Sequence, residues 1–172
     1  MPYIIMYHVF IDAKGEKHAM LLFRKATLDD AEGIYELANY YAEKGEMLSR
    51  SRHQVYENIR DFIVAEDGGR VVAMGALHVM WSDLAEVRTV AVDEKYKRKG
   101  IGLKIVNALM EEAGALGVKK VFALTYQPEF FGACGFVRED KENMPQKVWL
   151  ECINCPKFPN CDEICMTRLV AP

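Results

Sequence analysis

Three groups of residues in this 172-residue chain have types and spacing suited to chemistry. Lys95, Lys97, Arg98 and Lys99 lead into Gly100-Ile101-Gly102. A glycine turn that opens a helix presents main-chain N–H groups and the positive end of the helix dipole. The cationic side chains add charge at the same spot, so the combination suits a phosphate-bearing ligand. Arg50, Ser51 and Arg52 stand at the start of a second expected helix, where the dipole disfavours cations. Two arginines there call for an anionic partner, and a bidentate arginine–carboxylate pair is what an acidic substrate demands. Cys152, Cys155, Cys161 and Cys165 crowd four thiols into the end of the chain. Thiolate repulsion makes such crowding costly without a metal, so tetrahedral zinc is the first expectation, an iron–sulfur cluster the second and a disulfide the third. Reduced thiols without a ligand are the plain alternative.

The elements that must carry these residues can be read from periodicity. Leu84 to Val92 is β-rich and ends on Val90-Ala91-Val92, and Ile105, Val106, Leu109, Met110 and Ala113 then recur at helical spacing. Upstream, Leu21 to Lys25 reads as a strand. Thr27, with Asp30 in the capping-box position, opens a helix through Ala42 whose apolar stripe is Ala31, Ile34, Leu37 and Tyr41. Gly45 ends it. Ser51 to Asp61 reads as a helix with a Ser51–Gln54 capping box. Phe62 to Glu66 and Arg70 to Val79 form a hairpin across Asp67-Gly68-Gly69. Val118 to Thr125 is a further strand, Pro128 opens a short helix to Cys134, and the last strands are expected at 135–137 and 147–149. Tyr3 to Ile11 could be one strand of a peripheral extension over residues 1–19. This order predicts an α/β fold, with a mixed central sheet and helices on both faces. The expected division is an extension over 1–19, a main domain over 20–150 and a cysteine-rich tail over 151–172.

Composition excludes several function classes. A net charge of −3, with no basic face apparent outside the glycine turn, argues against a nucleic-acid partner. No apolar run approaches a membrane span. The apolar N-terminus lacks a basic leader and a small-residue cleavage site, which together with the clustered cysteines points to a cytoplasmic protein. A Rossmann fingerprint is excluded because G-x-G-x-x-G is absent.

The run Lys97-Arg98-Lys99-Gly100-Ile101-Gly102, placed after a strand ending Ala91-Val92-Asp93, resembles the coenzyme A pyrophosphate signature of the GNAT N-acetyltransferases. Lys97 stands where that family has Gln or Arg, and Arg98 where it often has Gly. The resemblance runs from Leu21 to Trp149 and implies the GNAT fold with acetyl-CoA as co-substrate. It implies that the backbones of Val90, Ala91 and Val92 bind the pantetheine arm and polarise the thioester. It also implies that Glu86 acts as general base. The alternative for Glu86 is a carboxylate paired with Arg88, since residues two apart on a strand share a face. Many family members place a thiolate-protonating Tyr where this chain has Phe131. Tyr126 is the nearest substitute, and Cys134 is expected in the core.

Gly45 to Val55 resembles the substrate segment of bacterial N-acetylglutamate synthase GNAT domains, and the cysteine tail resembles that of the short stand-alone synthases. By that resemblance Arg50 and Ser51 hold substrate carboxylates, and Arg88 is placed to take a second one. The long synthases have Arg-Ser where Gln127-Pro128 stands here, so one carboxylate contact is lost or replaced. The implied activity is acetyl transfer to the α-amine of glutamate in arginine biosynthesis. Other acidic metabolites, a protein N-terminus and a non-catalytic acetyl-CoA sensor are the alternatives. A small-molecule amino acid is the expected partner, and a homodimer is compatible with the chain.

Overall fold

The computed structural model describes residues 6–11, 17–144 and 150–171. By contact density the chain forms two compact units. One holds the chain up to Ala76 with Thr89–Leu109, and the other holds Leu77–Arg88 with the chain from Met110 onward.

In the first unit β1 (Met6–Ile11), β2 (Lys17–Lys25), β3 (Phe62–Asp67) and β4 (Arg70–Val79, which passes into the second unit) pair antiparallel in that order. β2 begins four residues before the strand expected from Leu21, so residues of the expected peripheral extension belong to the sheet. The β3–β4 hairpin closes with Asp67 opposite Arg70, and Gly68 and Gly69 have φ of +55° and +86°. A two-residue turn of that hand needs positive φ at both positions, which glycine alone adopts without strain.

The expected Thr27–Asp30 capping box is present, the Asp30 carboxylate accepting from the Thr27 N–H at 2.7 Å, but it opens a 3-10 turn over Leu28–Asp30 that leads into helix α1 (Ala31–Glu43). It stops at Gly45, whose φ is +73°; Gly45 N–H donates to Ala42 O and Glu46 N–H to Tyr41 O, the paired bonds of a Schellman end. Its buried stripe of Ala31, Ile34, Leu37, Ala38 and Tyr41 packs with Phe62, Val64, Met74 and Ala76 of the sheet. Helix α2 (Arg52–Glu57) has the expected Ser51–Gln54 capping box but ends at Asn58 and continues as a 3-10 turn over Ile59–Asp61. The opposite face of β4 meets α3 (Ile101–Ala115): a Cβ built on Gly75 would lie 2.7 Å from Ile105 Cγ2. Helices therefore cover both faces of this unit's sheet.

In the second unit β5 (Leu84–Val92, whose last residues belong to the first unit) pairs parallel with β6 (Lys120–Thr125). β6 pairs antiparallel with β8 (Ile164–Leu169), which pairs antiparallel with β7 (Val137–Arg138). The sheet is thus mixed. β8 is a correction to the sequence reading: part of the cysteine-rich tail is a sheet strand. Its buried residues are Cys165, Met166 and Thr167. Helix α4 (Pro128–Ala133) opens on Pro128 as expected. The strand expected at 147–149 lies outside the described residues. No helix among the described residues is long and apolar enough to cross a membrane.

Candidate active site

The glycine turn is built in the first unit. Asp93 accepts from Lys95 N–H at 3.0 Å and opens a 3-10 turn over Glu94–Tyr96. Arg98 and Gly100 then take positive φ, +61° and +74°, which turns the chain sharply into α3. Gly100 O accepts from Lys104 N–H, so Ile101 and Gly102 lie in the first helical turn, where N–H groups lack carbonyl partners within the helix. Lys95, Arg98 and Lys99 are exposed. Lys97 is held: its Nζ lies 3.2 Å from Glu94 and 4.7 Å from the centre of the Tyr41 ring. Burial works to lower its pKa, but the Tyr41 and Glu94 contacts outweigh that and raise it, so it stays cationic.

Just before the turn, Ala91 packs into the α1 core, while Val90 faces Gly75 and α3. The Tyr41 hydroxyl donates to Val92 O. What the Val-Ala-Val run offers a ligand is therefore main chain. β5 departs from a regular strand at Thr89, whose φ is +56°. A β-branched residue in that region is a true outlier, and such strain persists only where neighbours enforce it. Sequence reasoning missed this bend, because Thr is among the residues that most favour regular strand.

Arg50 reaches that bend. Its Nη2 donates to Thr89 Oγ1 at 3.2 Å. The Asn39 side chain on α1 clamps Arg50's main chain from both sides: Nδ2 donates to Arg50 O at 2.9 Å, and Oδ1 accepts from Arg50 N–H at 3.2 Å. Asn39 was not foreseen; a polar residue inside an otherwise amphipathic helix was the available signal. Ser51 serves as helix cap. Arg52 finds its anion within the chain, a bidentate pair with Glu32 at 2.8 and 3.0 Å, with its guanidinium stacked on Tyr35. The anionic partner expected at this helix start is, for Arg52, Glu32.

The second unit carries the carboxylates. Glu86 is 4 % exposed and lies opposite Phe122 of β6. The β5–β6 register runs from Leu84↔Lys120 to Glu86↔Phe122 and no further among the described residues, so the two strands part after Glu86. Arg88 Nη1 lies 3.9 Å from Glu86 and contacts both oxygens of Glu151, at 3.1 and 3.3 Å. His78 Nε2 lies 3.7 Å from the same Glu151 oxygen. The Glu86–Arg88 pair foreseen from strand spacing is present, yet Glu151, which no local pattern singles out, lies closer to Arg88 than Glu86 does.

Tyr126 donates to Asp162 at 2.6 Å and accepts from Lys157. Phe131 is buried and edge-on to Phe130 and Phe136, a packing role. Cys134 is core, as expected; burial pushes its thiol up to about 11.

A metal centre was expected at Cys152, Cys155, Cys161 and Cys165. Among the described residues no three His, Cys, Asp or Glu side chains converge as ligands would. Cys165 is buried on β8 and its thiol is pushed up to about 11 by that burial, whereas Cys152, Cys155 and Cys161 are half-buried in the loop before it. As placed, the residues expected to hold zinc or an iron–sulfur cluster make no such site among the described residues.

Comparison with known proteins bears on the family and the fold. The family model described as the acetyltransferase (GNAT) family matches residues 26–139. An amino-acid acetyltransferase of Mycobacterium tuberculosis is 44% identical over 131 residues, covering 74% of this chain and 75% of that one. A Mycobacterium tuberculosis crystal structure in complex with CoA superposes with a TM-score of 0.74 at 32% identity, over 87% of this chain and 99% of that one. The N-acetylglutamate synthase of Neisseria gonorrhoeae, complexed with coenzyme A and N-acetyl-glutamate, gives a TM-score of 0.78 at 23% identity, a likeness of fold. This chain spans 36% of that protein and 91% of itself in the match.

Proposed function

The chain belongs to the acetyltransferase (GNAT) family, and from that premise we propose that it moves acetyl from acetyl-CoA to the α-amine of an acidic amino acid, L-glutamate first. This would make it an N-acetylglutamate synthase of arginine biosynthesis. The observation that carries the reading is Arg50: a guanidinium whose main chain is clamped by Asn39 and whose tip rests on Thr89, one residue before Val90. A carboxylate bound there would be fixed relative to the strand whose main chain is to grip the thioester. Ser51 sets the helix start beside Arg50, and Arg88 takes the second carboxylate.

Acyl transfer needs a neutral amine, donors for the developing oxyanion and an acid for the leaving thiolate. Main-chain N–H groups of Val90, Ala91 and Val92 supply the donors. Lys97, Arg98 and Lys99 with the amides of Gly100, Ile101 and Gly102 hold the pyrophosphate. Glu86 accepts the amine proton, directly or through water. The amine nitrogen then bonds to the acetyl carbon, the carbon–sulfur bond breaks, and the thiolate takes up a proton. Tyr126 is the candidate donor for that proton, and Lys157 would return one to its oxygen.

The test is acetyl-CoA-dependent release of free thiol across a panel of amino acids. Turnover confined to glutamate and close analogues supports the reading. Binding of acetyl-CoA without turnover on any amine would leave a sensor instead.

A further inference from the structure

The Arg88 side chain is 14% exposed and that of Glu86 5%, while the Glu151 side chain that meets Arg88 is 34% exposed. A guanidinium this far from water is strongly disfavoured if left without a counter-charge. Glu86 is a weak answer at 3.9 Å; both Glu151 oxygens lie closer, on the same Nη1. The Glu151 residue belongs to no strand: it stands at the N-terminal end of a 3-10 turn over Cys152–Asn154, with its side chain partly in water.

We propose that Glu151 is a built-in stand-in for a substrate carboxylate at Arg88, and that it sets how strongly the site prefers acidic over neutral amino acids. The inference rests on the reading above, in which Arg88 takes a second substrate carboxylate. The exchange is of like charge for like. A carboxylate arriving at Arg88 finds another already there and competes for the guanidinium with the more exposed of the two, Glu151. Arg88 thus keeps a partner whether or not substrate is bound. A side chain without charge has no means of displacing Glu151 and binds with the pair intact. The Glu151 carboxylate therefore acts as an internal competitor against acidic substrates alone.

The experiment compares glutamate with glutamine at saturating acetyl-CoA, in the full chain and in Glu151→Gln, Glu151→Asp and Arg88→Lys. In Glu151→Gln the KM for glutamate should fall about twofold to fivefold, the range of a partly exposed ion pair, with kcat and the KM for glutamine unchanged. Glu151→Asp, which keeps the carboxylate, should stay near the parent. An unchanged or raised glutamate KM in Glu151→Gln overturns the proposal, as does a fall shared equally by glutamine. Arg88→Lys reports on the underlying reading. A raised glutamate KM there supports it, and an unchanged one, or a parent protein inert to both amino acids, removes the reading itself. An unaltered Glu151→Gln beside an altered Arg88→Lys removes only the role given to Glu151.

Discussion

Arg50 donates through Nη2 to the hydroxyl of Thr89, the residue at which β5 leaves regular strand geometry. The hydrogen bond joins the candidate substrate cation to the point where the strand's main chain turns. Thr89→Val keeps the shape and removes the acceptor. A hydrogen bond to a charged group contributes about 1.5 kcal/mol, so the KM for the amino acid should rise about tenfold. The KM for acetyl-CoA should stay within about twofold. Steady-state kinetics with each substrate varied in turn decides it, and equal rises in both would mean that Thr89 shapes the strand rather than Arg50.

Gly75 tests the packing beneath that strand. A Cβ there would sit 2.7 Å from Ile105 Cγ2, 3.1 Å from Leu109 Cδ1 and 3.3 Å from Val90 Cγ2. Ile105 and Leu109 are wholly buried, and the nearest atom is a β-branched methyl with little freedom to swing aside. Gly75→Ala should destabilise by about 1–3 kcal/mol, as overpacked cores do. Equilibrium denaturation reads this directly. An unchanged midpoint would show that α3 can lift away from β4 without penalty.

What the sequence disclosed and what it withheld divide along physical lines. β5, the turn and α3 were legible because strand, glycine and helix signals follow one another without overlap; the strand's observed bounds, Leu84–Val92, match the expectation, and Ile105, Val106, Leu109, Met110 and Ala113 all lie within α3. The Thr27 and Ser51 caps were legible for the same reason: capping depends on residues three apart. β8 was not, because Cys152 to Cys165 drew attention to thiol chemistry and away from the β-prone Ile164-Cys165-Met166-Thr167 that follows. The Thr89 bend, the Asn39 clamp and the Glu151–Arg88 contact depend on residues 11 to 63 positions apart, or on strain that residue type conceals. Local pattern carries no information on such pairings.

Acid should expose a second dependence. Arg24 is shared between Asp30, at 2.6 and 2.9 Å, and Glu66, at 2.6 and 3.0 Å. Burial works to raise the Asp30 pKa, but the Arg24 hydrogen bonds and the Thr27 N–H outweigh it and hold the carboxyl below its ordinary value. The folded value lies below the unfolded one, so the unfolded chain takes up a proton first as pH falls. The stabilisation is complete above about pH 4 and drains away as pH drops through the folded value. Asp30→Asn should cost about 1.5–3 kcal/mol at neutral pH and flatten the acid limb of a stability profile. An acid limb identical to the parent's would show that Asp30 contributes no linkage.

Thiol reactivity separates the tail cysteines without reference to any metal. Alkylation proceeds through the thiolate and needs access. Cys134 and Cys165 fail on both counts, being buried, with thiols pushed up to about 11 chiefly by that burial. Cys152, Cys155 and Cys161 are half-buried, and Cys161 Sγ lies 3.7 Å from Glu163. Iodoacetamide at pH 8 should therefore label Cys152, Cys155 and Cys161 well before Cys134 and Cys165, as read by peptide mass spectrometry. Chelator should leave the pattern unchanged, since these side chains do not converge on a common centre. Joint protection of Cys152, Cys155, Cys161 and Cys165 that chelator abolishes would restore the metal-bound tail and displace the β8 placement of Cys165 with it.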